Sequence, residues 1–581
     1  MLKKPFLLYL GLGLLTGFAQ LGAADPEPAP TPAAPVPPAG RPLRYILISD
    51  SVEEAQKLMP AADSGFVVLG QAFSSFNAAE LTKRLAAGEN RPIEERLLAA
   101  IAQVIENFFR QNDYPTAAAL VPTQSIATGQ VRILVTLGEK SKSPPVVAST
   151  EWKIRNINMT GARWFSESLL REKLRIERGG IVRFSELDNA ISWTNSNPFR
   201  RVRVHLDPVP NTGEADLSIA VQDAFPLRLS ASFDNSGNEI LGENHYTAAV
   251  SYGNMWGKDH QLSYQYITTS LPKYYQGHGL DYRVPLPWRH HLQFSASYVK
   301  ASPALYDGLI ILNGETITSD LRYTLPLRTG NNPAELFAAL TFKESNNNLD
   351  FGGVTVSPTK TDIFQFTSGI STVYRDKRGA WAFGASITLS PGGINSRNTD
   401  TAFDGFRHGG EDSARLGARA SYYYGGITVQ RLLTLAPGWD LMSRGVAQAS
   451  QANLLASEQL SIGGATTVRG FRENVFSGDH GFLISNDLMA PPLKKNLPYI
   501  SKTRGPLETR FLAFFDAGNT AARHRYPSDP HRVALMSAGV GVRMSLSTNF
   551  SLNADYGWQI SHLPTPVEDH SRGHVRATLA F

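Results

Sequence analysis

Two ionisable residues keep unusual company. Arg469 lies in Leu460-Ser-Ile-Gly463-Gly464-Ala-Thr-Thr-Val468-Arg469-Gly470-Phe471, among glycine-rich turn residues, where an arginine would ordinarily be solvated. Asp516 lies in Phe511-Leu-Ala-Phe514-Phe-Asp516-Ala-Gly518, a strand-like run of Phe, Leu and Ala in which an unpaired carboxylate is costly. An Arg–carboxylate fork would satisfy both positions at once. Enzyme chemistry is harder to find. Gly253-Asn-Met-Trp-Gly257-Lys258 is one residue short of a phosphate-binding loop and sits in a hairpin turn. Gly277-His-Gly279 lacks a third glycine and a following helix, and neither HExxH nor GxSxG occurs. His290 and His291 point to opposite faces of a strand, so they form no paired-ligand site. Spacing alone leaves open a barrel lipase of scattered Ser, His and Asn. No cofactor, metal site or catalytic residue is expected.

Composition narrows the class. The chain has 581 residues, with Lys+Arg 56 against Asp+Glu 51, a net charge of +5. That balance, without an Arg/Lys-rich block, gives no footprint for nucleic acid. Charged residues are 18% and hydrophobic ones 42%, with 49 Gly, 20 Tyr and 29 Phe, which rules out disorder of the whole chain. The absence of cysteine excludes disulfide scaffolds, Cys-held metals and thiol nucleophiles. Mean hydropathy is −0.20, which argues against a helical membrane protein.

Lys3 and Lys4 precede the apolar stretch Phe6 to Leu21 and the small residues Gly22-Ala23-Ala24. Residues 1–24 therefore read as a secretory signal peptide rather than a membrane anchor. No later segment offers the roughly 18 apolar residues a spanning helix needs. The mature chain is then either soluble outside the cytoplasm or a β-barrel. Residues 25–42 hold eight prolines and read as an extended linker. Residues 43–63 form an N-terminal segment in which Ser51 to Met59 could make a short helix.

Two small α/β modules are expected at 64–140 and 150–224. The first runs strand, helix, helix, strand, strand. It has Phe66 to Leu69 as a strand, Asn77-Ala-Ala-Glu80 as a capping box, and Leu97, Ile101, Val104, Ile105 and Phe108 on one helical face. Two strands follow around Thr128-Gly129, the second alternating as Val131, Ile133, Val135. The second module opens with a strand from Trp152 to Asn158, then helices from Ser166 and from Phe184, then a hairpin around Asn211-Thr212-Gly213. Gly70 and Gly161, 91 residues apart, read as equivalent positions of an internal repeat. Each module has a sheet edge able to accept a peptide strand.

From residue 226 to 581 the pattern is strict alternation. Leu292, Phe294, Ala296 and Tyr298 oppose Gln293, Ser295 and Ser297; Phe550, Leu552, Ala554, Tyr556 and Trp558 oppose Ser551, Asn553, Asp555 and Gly557. One face suits lipid and the other a wet lumen. A soluble sandwich also alternates, but here the polar faces are small and often uncharged. Sixteen antiparallel strands of ~10 residues would leave ~13 per connection, and fourteen or eighteen would fit as well. The fold class is thus mainly β, a transmembrane barrel of about sixteen strands after two α/β modules.

The segments around Arg469 and Asp516, in that order and separation, resemble the VRGF/Y loop and FxxFxDxG strand of the polypeptide-transporting barrel superfamily. With only two upstream modules, the chain resembles the two-partner secretion transporters (TpsB; haemolysin secretion/activation and filamentous haemagglutinin transporter type). Ala119 to Ile126, including Pro122 and Gln124, with Gly129, resembles the end of the first POTRA domain of that family. Asn197-Pro198-Phe199-Arg200 resembles its second, and Asp234-Asn235-Ser236-Gly237 its barrel entry. Phe581, ending an apolar-faced strand, resembles the assembly signal of outer-membrane barrels. A departure is the start of the mature chain, where a plug helix often stands in the family and prolines stand here.

The resemblance implies an outer-membrane protein with POTRA domains in the periplasm. They would capture the N-terminal secretion domain of a large exoprotein partner, and the barrel would conduct it to the cell surface. It implies a lock between the loop bearing Val468, Arg469, Gly470 and Phe471 and the wall at Phe511, Phe514, Asp516 and Gly518. It also implies lipid contact, insertion by the barrel-assembly machinery and a monomeric state. The alternatives are an assembly or insertion factor of the same superfamily, and a passive porin or receptor.

Overall fold

Alternating apolar residues close into a wall. The computed structural model describes the chain from residue 43 onward except for 51–65, 112–116, 122–129, 137–150, 409–413, 498–504, 527–531, 562–569 and several shorter stretches. The expected signal peptide, linker and short helix at Ser51 to Met59, and the motif positions Pro122, Gln124 and Gly129, fall outside the described residues.

The first module forms a four-stranded sheet in the order Val67–Leu69, Tyr45–Ser49, Gln130–Thr136, Ala118–Leu120. Helices Ala78–Leu85 and Glu95–Gln111 pack against it. Asn77 caps the first helix, its side-chain oxygen accepting from the N–H groups of Ala79 and Glu80. Val131, Ile133 and Val135 point into the core with Ile101, Ile105 and Phe108.

The expected boundary at residue 64 needs correction. Tyr45–Ser49 is a central strand of this sheet, pairing in parallel with both Val67–Leu69 and Gln130–Thr136. Leu43, Ile46, Leu47 and Ile48 are fully buried, so the module begins by residue 43.

The second module orders its strands Ile181–Arg183, Glu151–Thr160, Glu214–Asp223, Arg200–Val209. Helix Glu167–Leu174 is capped by Ser166, and helix Phe184–Thr194 follows. Both sheets share one order: short edge strand, first strand, last strand, penultimate strand. Within that order Gly70 ends the edge strand and Gly161 the central one, so the two glycines are not equivalent. The repeat instead matches Tyr45–Ser49 with Glu151–Thr160. The second module and the barrel form one unit from Trp152 to Phe581, and the first module another.

The barrel is a closed antiparallel meander from Leu227–Asp234 to Ser571–Ala580. Ala304–Leu305 and Leu493–Lys495 pair with the same neighbours as the strands just before them, so the wall has sixteen strands. Phe294, Ile387, Val540 and Trp558 are exposed on the outer face. Inside, polar side chains satisfy one another, as where Ser295 donates to Asp281 at 2.8 Å. The closing ladder pairs Arg576–Ala580 with Asp234–Ser230, and Phe581 extends it by exchanging backbone bonds with Leu229 at 2.8 and 3.1 Å.

Candidate functional site

Between the strands Trp439–Ser450 and His480–Met489 the chain leaves the wall for residues 451–479. A short ribbon, Leu460–Ile462 against Phe476–Gly478, carries a tip with Arg469 at its end. Val468 and Phe471 anchor the tip, fully buried with Ile462, Leu483, Val533 and Leu535. Gly470 needs the left-handed backbone region at φ +86°, which explains a glycine directly after the arginine.

On the strand Leu507–Ala521, period-two geometry turns Leu512, Phe514, Asp516 and Gly518 inward. Asp516 is 0% exposed and Arg469 4%. Arg469 Nε donates to Asp516 Oδ2 at 2.7 Å and its Nη2 to Oδ1 at 2.8 Å, a bidentate fork. The Arg469 backbone N–H adds a third bond to Oδ2 at 3.1 Å. The guanidinium lies over the Phe514 ring, 3.6 Å from its centroid. Gly518 leaves room for the loop, since a Cβ there would stand 3.2 Å from Ile462 and 3.3 Å from Val468.

Phe511 belongs elsewhere. The same alternation that turns Asp516 inward turns Phe511 out, and it is 54% exposed on the outer face. It is not part of the loop–wall contact. Sequence reading also missed members that are. Arg469 Nη2 donates to Asp487 at 2.5 Å and to Ser485 at 3.2 Å. Asp555, forked by Arg543 at 2.8 and 2.9 Å, stands 3.7 Å from Arg469 Nη1. Strand parity places these acids in the lumen; their convergence on one arginine is legible only in three dimensions.

At the other end of the barrel the Asn197 motif meets the hairpin turn of residues 256–259. Asn197 Nδ2 donates to Gly253 O and to Asp259 Oδ1, each at 2.7 Å. Arg200 forks the same carboxylate at 2.5 and 2.8 Å. Phe199 packs against Gly253 so closely that a Cβ there would lie 2.1 Å from its ring, while Pro198 is exposed. Lys173 Nζ approaches Asp259 to 3.7 Å. Burial pulls the Lys173 pKa below the ordinary lysine range, and Asp259 works in the opposite direction. This clamp fixes the second module to the barrel.

At the opposite mouth, loops are tied to one another around another acid. Asp479, 0% exposed, is forked by Arg415 at 2.5 and 2.9 Å and accepts the backbone N–H groups of Leu454 and Arg523. Three long loops thus share one carboxylate. Glu458, also buried, takes Lys343 at 2.5 Å, Gln365 at 2.6 Å and Tyr424 at 3.0 Å, pinning the rising arm of the lumen loop to the wall. Among the described residues no cluster suited to a metal ion occurs.

Known proteins share this fold. The description "Haemolysin secretion/activation protein ShlB/FhaC/HecB" matches residues 213–544, and a POTRA domain of the ShlB type matches residues 66–138. The outer membrane transporter CdiB of Dickeya dadantii is 22% identical over 467 residues, 79% of this chain and 76% of that protein. The heme/hemopexin transporter protein HuxB of Haemophilus influenzae is 22% identical over 460 residues, 78% of this chain and 76% of that one. The solved structure of CdiB from Escherichia coli shares the fold at a TM-score of 0.63 and 18% identity, covering 96% of this chain and 93% of that one. With more than half of its length inside the family match, the chain belongs to the ShlB/FhaC/HecB family of haemolysin secretion/activation proteins.

Proposed function

We infer that this outer-membrane transporter, which secretes a partner exoprotein and catalyses no reaction, works by capture, conduction and release of a lumen lock. The two modules are POTRA domains in the periplasm. They take up the partner's N-terminal secretion domain as an extended chain, pairing with it at a free sheet edge. The barrel then conducts the chain outward. The loop of residues 451–479 fills the path at rest and is held there by Arg469 and Asp516. In this reading residues 1–24 are the signal peptide and 25–42 the linker. The wall meets outer-membrane lipid as a monomer, inserted by the barrel-assembly machinery.

The observation that carries the reading is the buried fork between a loop arginine and a wall aspartate. A lock of that kind rests on a few directional contacts at the loop tip, beside the small apolar cluster of Val468 and Phe471, so the loop is released without unfolding the barrel. The test is secretion. A large exoprotein from the adjoining reading frame, co-expressed with this chain, reaches the medium; without the chain it stays in the periplasm. If removing the chain instead depletes other outer-membrane barrels and leaves the exoprotein in the medium, the protein is an insertion factor.

A further inference from the structure

The tip of the lumen loop is held twice. One hold is the Arg469–Asp516 fork. The other lies on the last two strands, Phe550–Gln559 and Ser571–Ala580. The Gly470 N–H donates to His574 Nε2 at 3.0 Å, and Gln559 Nε2 donates to Gly470 O at 2.8 Å. Both backbone polar groups of one loop glycine are therefore satisfied by wall side chains. Because Nε2 accepts, the neutral imidazole carries its proton on Nδ1, which faces Glu473 of the same loop at 3.9 Å. The approach requires glycine on both sides. A Cβ on Gly557 would lie 2.7 Å from Gly470 N, and a Cβ on Gly470 would lie 2.8 Å from the Gly557 carbonyl carbon. His574 is 3% exposed.

The strand that holds His574 is the one that closes the barrel. Its ladder to the first strand is five residues long, against nine with its other neighbour. The segment Ser571–Val575 lies beyond that short ladder. There the first strand's side is represented by Asn235: its side-chain amide donates to Gly573 O at 2.9 Å and accepts from Val575 N–H at 2.8 Å, and its backbone N–H reaches Val575 O at 3.3 Å. The loop's second hold falls on this segment, whose seam side lies beyond the ladder.

Building on the lumen-lock reading above, we propose that His574 and Gln559 are positioning residues through which the docked loop staples the closing strand, coupling loop release to loosening of the seam. Ser571–Val575 is laddered to Ala554–Trp558 on one side; on the seam side it is held by Asn235, and with the loop docked Gly470 adds a hold through the His574 side chain. With the loop displaced, Asn235 holds that side alone.

Hydrogen exchange on the full-length protein, restricted to the heat-modifiable folded pool, tests this without any exoprotein. His574→Leu removes the acceptor, and Gly557→Ala displaces the loop while leaving every hydrogen-bonding side chain in place. Each is expected to speed exchange at the amides of 571–575 by about tenfold, the scale of one lost buried hydrogen bond, with Leu507–Ala521 unchanged. His574→Gln, whose side-chain oxygen accepts the same N–H, is expected to restore most of the protection. Wild-type exchange in both variants, or acceleration spread evenly over all strands, overturns the staple. If Arg469→Ala blocks export while His574→Leu leaves the seam protected, the lock stands and the staple falls. If His574→Leu loosens the seam while Arg469→Ala exports normally, the staple stands and the lock falls.

Discussion

Asn197 and Asp259 lie 62 positions apart, one in the second α/β module and one in a barrel turn, yet the amide of the first donates to the carboxylate of the second at 2.7 Å with both buried. Arg200 completes the clamp. Asp259→Ala would leave Arg200 buried without its partner, and breaking such a pair from one side typically costs ~3–5 kcal/mol locally. The barrel should still assemble. Limited proteolysis should cut the segment between Asp223 and Leu227 more readily, and export should fall. Unchanged protease resistance there would mean that the clamp does not hold the module.

The strand Tyr45–Ser49 makes a second prediction. Removing residues 43–63 strips four fully buried aliphatic side chains from the first module, each contributing ~1.5–3 kcal/mol of burial. A small domain with ~5–15 kcal/mol of net stability does not survive that loss. A purified fragment 43–225 should show mixed α/β circular dichroism, and fragment 64–225 should lose the signal of one module. Equal spectra per residue would return the strand to the linker.

A third prediction concerns Phe581, whose backbone extends the seam to Leu229 while its ring stands 72% exposed on the outer face. Deleting it, or replacing it with Asp, removes or charges the end of the apolar band. Outer-membrane levels of the heat-modifiable barrel should drop. Normal levels would leave the last residue without a part in assembly.

At the far mouth, Asp479→Ala removes the acceptor shared by Arg415, Leu454 and Arg523. The three loops should separate, raising single-channel conductance and sensitivity to large antibiotics without loss of the barrel. Wild-type conductance would show that the loops hold one another by other contacts.

How much of this was legible beforehand follows from range. Alternation along each strand is local, so the barrel and the inward turn of Asp516 could be read from residues two apart. Phe511 follows the same rule and so lies outside the lock, although it shares the segment. Tyr45–Ser49 was obscured because its five residues follow a proline-rich stretch, and their partners at 130–136 lie some eighty positions on. Asp259, in a turn beside Gly257 and Lys258, has the look of a solvated residue; its burial comes from a module folded earlier in the chain. His574 carries only a parity signal, and its bond to Gly470 spans 104 positions.

The most direct measurement of the lumen lock is export by paired charge variants. Arg469→Ala and Asp516→Ala each break a buried fork from one side, at ~3–5 kcal/mol, enough to free one loop without opening a sixteen-strand wall. Both proteins should reach the outer membrane at wild-type levels and secrete little or none of the partner. The swap of Arg469→Asp with Asp516→Arg should recover part of the secretion, limited by Asp487 and Asp555, which would then face an aspartate. Full secretion by both single variants would contradict the lock.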